Sequence, residues 1–230
     1  VSKPTPVRLG KSLVVAIDGP SGSGKSSVSQ EVARRLGLAY LDTGAMYRAV
    51  TWHCVNLGLD LDDAVAVEQA TRSVELSLST DPDADFVAVG GADVTAAIRE
   101  PDVSTAVSAI ATKLGARAEL IRMQQQMISD AGHRMVVEGR DITTVVAPDA
   151  EVRLLLTASE EARMARRGMQ LGGTQNSRQL STQVLERDKK DSTVVNFHQA
   201  ADGVVTVDSS DLDFEETVQA VLDAVHSIAD

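Results

Sequence analysis

Cysteine occurs once, at Cys54, and the aromatic side chains number only one Trp, two Tyr and three Phe. A lone cysteine excludes an internal disulfide framework, and no Cys/His spacing resembles a zinc site, so a reducing compartment fits. Positive charge is also in short supply: 22 Lys and Arg face 33 Asp and Glu, for a formal net charge of −11. Such a chain repels phosphate backbones and anionic membranes, which argues against nucleic acid polymers and membrane surfaces as partners. Its apolar runs stay well short of the roughly 18 residues that a membrane helix needs. The opening VSKPTPVRLGKS lacks the apolar core of a signal peptide, so a cytoplasmic setting is expected, with residues 1–11 as a flexible lead-in.

What the chain does have is arginine: 16 of its basic residues are Arg and 6 are Lys. The planar guanidinium fork matches phosphate and carboxylate bidentately, so small anionic ligands suit this composition. With 230 residues, 43% of them hydrophobic, the chain can bury a substantial core as one domain carrying insertions. Ser12 to Asp18 (SLVVAID) reads as a buried parallel strand, and from Ser26 the apolar positions Val28, Val32 and Leu36 mark a helix that Gly37 can cap. After a short apolar step at Ala39 to Leu41, helices are expected over Ala45 to Leu57 and Ala64 to Ser73. Between Val74 and Val94 the period shifts to that of a small antiparallel sheet around the turn-rich DPDAD, which looks like an insertion on the main body. Helical patterns return from Pro101 to Ala131 with a break near Leu114. Further strands are expected at Arg134 to Val137, Val152 to Leu156 and Val204 to Val207, and a last helix from Phe214 to Ala229. Strands alternating with helices imply an α/β fold, a parallel sheet covered on both faces.

Gly19 to Ser26 (GPSGSGKS) satisfies the phosphate-loop pattern G-x-x-x-x-G-K-[ST] in full. It follows a predicted strand and opens a predicted helix, which is the context the motif requires. The stretch Gly19, Pro20, Ser21, Gly22, Ser23, Gly24, Lys25, Ser26 and Ser27 would wrap the phosphates of ATP. Its glycines let backbone N–H groups converge on phosphate oxygens, and the helix N-terminus adds partial positive charge. Lys25 should reach the β and γ phosphates, and the Ser26 hydroxyl should ligate Mg²⁺. The lack of an N-K-x-D sequence disfavours a GTPase, and the lack of a hydrophobic run ending in a water-polarising acid disfavours motor and transporter ATPases. Small-molecule kinases remain.

A kinase needs a second anion site in line with the first. In LDTGAMYR, Thr43 and Gly44 open a helix and Arg48 lies one turn beyond Gly44; a capping Thr with a surface Arg is the plain alternative. In RMVVEGRDITT, an apolar strand delivers Glu138, Arg140 and Asp141 to its carboxyl end, where open α/β sheets bind ligands, although a salt-bridged turn would read the same way. Arg163, Arg166 and Arg167 share one helical face ahead of GMQLGGTQNS, either a closing face for the triphosphate or a surface set with Glu160. Arg163 and Arg167 are the two expected on the phosphates. Asp18 is left between a holder of metal-bound water and a structural cap, and Glu138 between an arginine partner and a Mg²⁺ water.

AIDGPSGSGKSSVS, LDTGAMYRAV and VVEGRDITTVVAPDAEVRLLLTAS, in this order and spacing, resemble the bacterial cytidylate kinases, a family of nucleoside monophosphate kinases. The similarity runs from about Ser12 to the final helix. It implies a P-loop kinase with a parallel five-stranded core flanked by helices, a small antiparallel monophosphate-binding insertion over about 64–104, and a mobile lid over about 163–180. It also implies a monomer that transfers a phosphoryl group from ATP, with Mg²⁺, to the small-molecule substrates CMP and dCMP. Carried over by position, Arg48 and Arg140 would hold the CMP phosphate with Thr43 and Tyr47 nearby, while Ser108, Arg117 and Asp141 would contact cytosine. Arg187 and Asp191 would lie around the ribose and phosphate, and Lys25, Arg140, Arg163 and Arg167 would supply the catalytic charge. Cytosine chemistry agrees, since a carboxylate such as Asp141 can accept from the N4 amino group while Arg117 donates to the ring acceptors. A P-loop kinase with a shikimate-like hydroxyl acceptor and a non-catalytic nucleotide-binding protein are the rival readings. Relatives commonly carry arginines through and after R-D-x-R-D, whereas here the stretch is ERDKKDSTVV, with Lys190 in the middle and no arginine after Arg187. A point-charge lysine is not a fork, so a bidentate contact there must come from elsewhere.

Overall fold

The computed structural model describes residues 12–170, 185 and 187–229, apart from the side chains of Gln170 and Arg187. In chain order, β1 (Leu13–Asp18), α1 (Lys25–Leu36), β2 (Ala39–Asp42), α2 (Thr43–Asn56) and α3 (Ala64–Ser73) precede three short strands, β3 (Leu76–Leu78), β4 (Val87–Val89) and β5 (Ala92–Asp93). Then follow α4 (Pro101–Ala111), α5 (Leu114–Asp130), β6 (Arg134–Gly139), β7 (Val152–Thr157), α6 (Glu160–Gln170), α7 (Arg187–Asp191), β8 (Val205–Asp208) and α8 (Phe214–Ala229). Among the described residues no helix is long and apolar enough to cross a membrane.

β1 is buried along its whole length because it lies at the centre of a five-stranded parallel sheet with the order β2-β6-β1-β7-β8. Successive side chains of a strand point to opposite faces, and each face has its own core. Val14 and Ala16 pack on the side of α2, α3 and α5, whereas Leu13, Val15 and Ile17 meet Val28 and Val32 of α1 and Val218 and Val221 of α8. β6 repeats the division, with Met135 and Val137 in the first core and Val136 in the second. This two-sided burial explains why the sequence shows continuous apolar runs at these strands. The step at Ala39 to Leu41, too short and too polar in flank to read as a strand, is the sheet's edge strand β2, paired with β6.

The smaller antiparallel sheet has the order β3-β4-β5 and rests Val87 and Val89 in the core that holds α2. Gly90 and Gly91, at φ of 56° and 79°, form the two-residue turn between β4 and β5, a left-handed pair that only glycine adopts without strain.

β1 turns toward β2 on one side while β7 leads on to β8 on the other, so the carboxyl ends of β1, β6 and β7 border a crevice of the kind where such sheets bind ligands. At its floor Gly19 lies so close to β7 that a Cβ there would stand 2.1 Å from the Leu156 carbonyl oxygen. Beside it, Asp18 is 4% exposed and accepts from the Ile142 N–H at 2.8 Å, the Thr143 N–H at 2.9 Å and the Thr143 hydroxyl at 2.6 Å. Burial pushes the Asp18 carboxyl upward from its ordinary range, and these donors work against that push. Of its two sequence readings the geometry takes the structural cap: Asp18 pins the turn Ile142–Val146 and thereby fixes where β6 ends. Asp18→Ala leaves two buried N–H groups without their acceptor, and we expect it to lower unfolding stability by about 3 kcal/mol in urea titration.

Candidate active site

A cavity of about 1010 Å³ opens at the carboxyl edge of the sheet. It is lined by the loop from Ser21 to Ser27, by Thr43, Tyr47 and Arg48 of α2, and by Arg117, Arg140, Asp141, Arg167 and Asp191. Helix α1 starts at this cavity behind Gly24, with no side chain among the described residues capping its N-terminus. Such an uncapped start leaves backbone donors and the positive end of the helix dipole for an anion. Lys25 reaches back to the Pro20 carbonyl at 3.0 Å. The Ser26 hydroxyl donates to Glu138 Oε1 at 2.6 Å. Burial and the neighbouring Asp42 charge push the Glu138 carboxyl up to about 7, against the pull of Lys25, Ser26 and Arg48. Glu138 therefore partners the phosphate-loop serine, which neither of its sequence readings named.

On α2 the cap is Asp42 rather than Thr43: its carboxylate accepts from the Ala45 N–H at 2.8 Å and from Arg48 Nη2 at 2.9 Å. Burial alone would raise the Asp42 pKa, but the Arg48 charge and these donors hold it below its ordinary value. Thr43 is the first helical residue, and its hydroxyl donates to the Glu138 carbonyl at 2.8 Å. Tyr47 is 9% exposed, and its hydroxyl, like Arg48 Nε, is buried without a hydrogen-bond partner among the described residues. Orphaned donors at a cavity wall point to a ligand that would satisfy them. Arg167, from α6, has its pKa pulled down by burial and by the like charge of Arg48.

Farther along the cavity Arg117 Nη2 is ion-paired with Asp141 Oδ2. Burial raises the Asp141 carboxyl, and Arg117 opposes this. Ser108 and Arg163 do not line the cavity, but both bond to groups around it. Ser108 Oγ donates to Asp191 Oδ1 at 2.8 Å, and Asp191 also pairs with Arg140 Nε at 3.1 Å. Arg140 is further held by Asp188 Oδ1 at 2.7 Å, by the Ser21 hydroxyl at 2.6 Å, and by the face of Phe197, 4.4 Å from its ring centroid. Arg163 Nη1 donates to the Ser21 carbonyl at 2.9 Å and to Asp188 Oδ2 at 2.6 Å. The Arg187 side chain, and residues 171–180 of the expected lid, lie outside the described residues.

Two contributors were not read from the sequence, and a third, Arg166, has partners that neither of its sequence readings named. Asp188 had the signal of a charge-dense RDKKD but sits three residues from the aspartate that the resemblance singled out. Phe197, 1% exposed, supplies an aromatic face beneath Arg140 in the stretch where relatives carry arginines; Lys190, in contrast, is exposed. Arg166 donates to the Ser23 and Leu212 carbonyls at 3.2 and 3.1 Å and to the Ser209 hydroxyl at 2.9 Å, stitching α6 to the loop ahead of α8.

A phosphate loop between a central parallel strand and an uncapped helix, with arginines from α2, α5, α6 and the end of β6 around one cavity, defines a P-loop kinase. A gluconokinase from Sinorhizobium meliloti shares the fold at a TM-score of 0.53 and 16% identity, covering 96% of this chain and 95% of that one. Residues 15–227 match the family model described as cytidylate kinase, and the chain belongs to that family. A cytidylate kinase of Cutibacterium acnes is 48% identical over 217 residues, 93% of this chain and 96% of that protein. One from Streptomyces avermitilis is 44% identical over 215 residues, 93% of this chain and 92% of its own.

Because the Arg166 partners are backbone carbonyls and a serine rather than carboxylates, its contribution is structural. Arg166→Ala should cost about 2 kcal/mol of stability, read as a lower urea midpoint at unchanged slope.

Proposed function

We propose that the protein transfers the γ phosphoryl group of ATP to CMP and dCMP, giving CDP or dCDP and ADP. The observation that carries this reading is the single cavity joining the phosphate loop, the Arg48 and Arg140 guanidinium groups and the Arg117–Asp141 pair. ATP would lie with its phosphates on the loop and the start of α1, and Lys25 would leave the Pro20 carbonyl for the β and γ phosphates. The Ser26 hydroxyl, with Glu138 behind it at 2.6 Å, suits a hard cation that keeps most of its waters. Mg²⁺ is usually held by one or two protein oxygens together with the nucleotide phosphates and waters, and Ser26 would be the protein's share. When bound, the ion would neutralise charge on the triphosphate.

The acceptor phosphate would sit between Arg48, Arg140 and Arg167, with Thr43 and Tyr47 at its edge. An oxygen of that phosphate attacks the γ phosphorus, a P–O bond forms, and the bond to the β-phosphate oxygen breaks as ADP departs. The nucleophile is already anionic, so no strong general base is needed and the work is alignment and charge neutralisation by Lys25, Arg140, Arg163 and Arg167. Cytosine would reach the Arg117–Asp141 pair, giving its N4 protons to Asp141 and its O2 or N3 to Arg117, with Ser108 acting through Asp191. Arg187 and Asp191 are assigned to the ribose and phosphate. The segment from 64 to 104 would serve as the monophosphate-binding insertion and that from 163 to 180 as the lid. A cytoplasmic monomer without nucleic acid or membrane partners completes the reading.

Uracil turns a carbonyl oxygen toward Asp141 and leaves the carboxylate buried against an acceptor. In an ADP-release assay with CMP, dCMP, UMP and AMP, CMP and dCMP should exceed UMP in kcat/KM by about 10²-fold or more. Asp141→Ala should narrow that ratio while lowering turnover of CMP, and UMP used as efficiently as CMP would refute the role of Asp141. Lys25→Ala should lower kcat by roughly 10³-fold with the fold retained by circular dichroism.

A further inference from the structure

Ser21 uses all three of its polar groups on charged side chains from distant parts of the chain. Its N–H donates to Asp188 at 3.0 Å, its hydroxyl accepts from Arg140 at 2.6 Å, and its carbonyl accepts from Arg163 at 2.9 Å. The two arginines meet again on Asp188, at 2.7 Å from Arg140 Nη1 to Oδ1 and 2.6 Å from Arg163 Nη1 to Oδ2. Asp188 is 3% exposed, so both of its oxygens are committed inside the protein. Ser21 touches both guanidinium groups and Asp191 pairs with Arg140 alone, but Asp188 is the carboxylate that stands between the two: like charges repel, and it makes their approach favourable. Arg163 belongs to α6 and Asp188 to α7, so the same carboxylate joins the two helices that bracket residues 171–186 to the phosphate loop.

We propose that Asp188 is a positioning residue for phosphoryl transfer, fixing Arg140 and Arg163 relative to Ser21 and so setting the spacing between the acceptor-side and donor-side charges. The proposal rests on the CMP kinase reading above. Asp188 itself touches neither nucleotide. It acts through the direction in which the two guanidinium groups present their remaining donors, and transfer between two anions is sensitive to that direction because an error of about 1 Å costs on the order of 10²-fold in rate. Its role differs from that of Asp191, which lines the cavity and holds Ser108.

Steady-state kinetics on the full chain with ATP and CMP test this. Asp188→Asn keeps the shape and an acceptor for the Ser21 N–H but removes the charge between the arginines; kcat should fall about 10²-fold while the KM values for CMP and ATP stay within about 3-fold. Asp188→Glu restores the charge on a side chain one methylene longer, and because spacing is at stake it should recover less than a tenth of the wild-type kcat. The double variant Asp188→Asn with Arg163→Lys should be no slower than about 3-fold below the slower single variant, since both act on one arrangement. A lowered KM for CMP with kcat preserved in Asp188→Asn would overturn the proposal, because Asp188 would then be a counter-charge that substrate displaces. Full activity of Asp188→Glu would overturn it too, as would losses that multiply in the double variant. Should Asp188→Asn fail to fold, the Glu variant decides alone. A wild-type chain inactive on CMP removes the kinase reading and this inference with it, whereas an active wild type beside an unaffected Asp188→Asn removes only the inference.

Discussion

A cavity meant for phosphate must bury positive charge before the phosphate arrives, and buried positive charge is unstable unless something negative stands beside it. Four arginines at the site meet this constraint with carboxylates. Arg48 has Asp42, Arg117 has Asp141, Arg140 has Asp188 and Asp191, and Arg163 shares Asp188. The carboxylates lie at the start of α2, after β6 and in α7, so satisfying the arginines also ties these segments together. Removing one partner would strand the other charge in a low-dielectric interior, which makes the network costlier to break than its net contribution to stability suggests. The same carboxylates explain how a molecule with a net charge of −11 can hold a cationic pocket: its excess of acid is partly spent inside, next to the arginines.

The sheet makes this arrangement reachable. β6 and β7 flank β1 on either side in parallel register, with Asp18 opposite Gly139 and Leu155. The phosphate loop after β1 and the charged run after β6 therefore leave the sheet at the same level. Asp18 then holds the turn Ile142–Val146 by three hydrogen bonds, which prevents the chain after β6 from drifting away from the loop. A carboxylate that adjoins the phosphate loop without facing the cavity is thus part of what keeps Arg140 and Asp141 in place.

The sheet's inner strands were legible because burial on two faces leaves an unmistakable apolar run, and the phosphate loop because its glycines and lysine must occur in a fixed pattern. Helices α3 and α8 match their expected limits, 64 to 73 and 214 to 229, and the expected break near Leu114 separates α4 from α5. β2 was not legible, since four residues at a sheet edge carry little pattern, and β5 was hidden although Gly90-Gly91 is the hairpin signal that would have revealed it. Asp42 was overlooked as the cap of α2 because Thr43 beside it is an equally good capping type. The role of Asp188 and the partners of Arg166 were illegible for a different reason: those partners lie tens or more than a hundred residues away, and a charge in a charge-rich stretch says nothing of what the fold will bring to it. The resemblance named residues that line the cavity better than residues that hold those residues still.

Arg48 and Arg167 both line the cavity and bring two positive charges to it. They come from α2 and α6, more than a hundred residues apart in the chain, and are close enough for Arg48 to depress the Arg167 pKa. Arg48 has Asp42 as a partner but keeps a buried Nε without one among the described residues. Two guanidinium groups in partial burial repel, and a dianionic phosphate placed between them converts that repulsion into two attractions. Arg163, one turn earlier on α6, donates to the Ser21 carbonyl, so the helix that carries Arg167 to the cavity is also fastened to the phosphate loop. The position of Arg167 at the cavity is in this way tied to the phosphate loop through helix geometry, without a contact of its own to that loop being required.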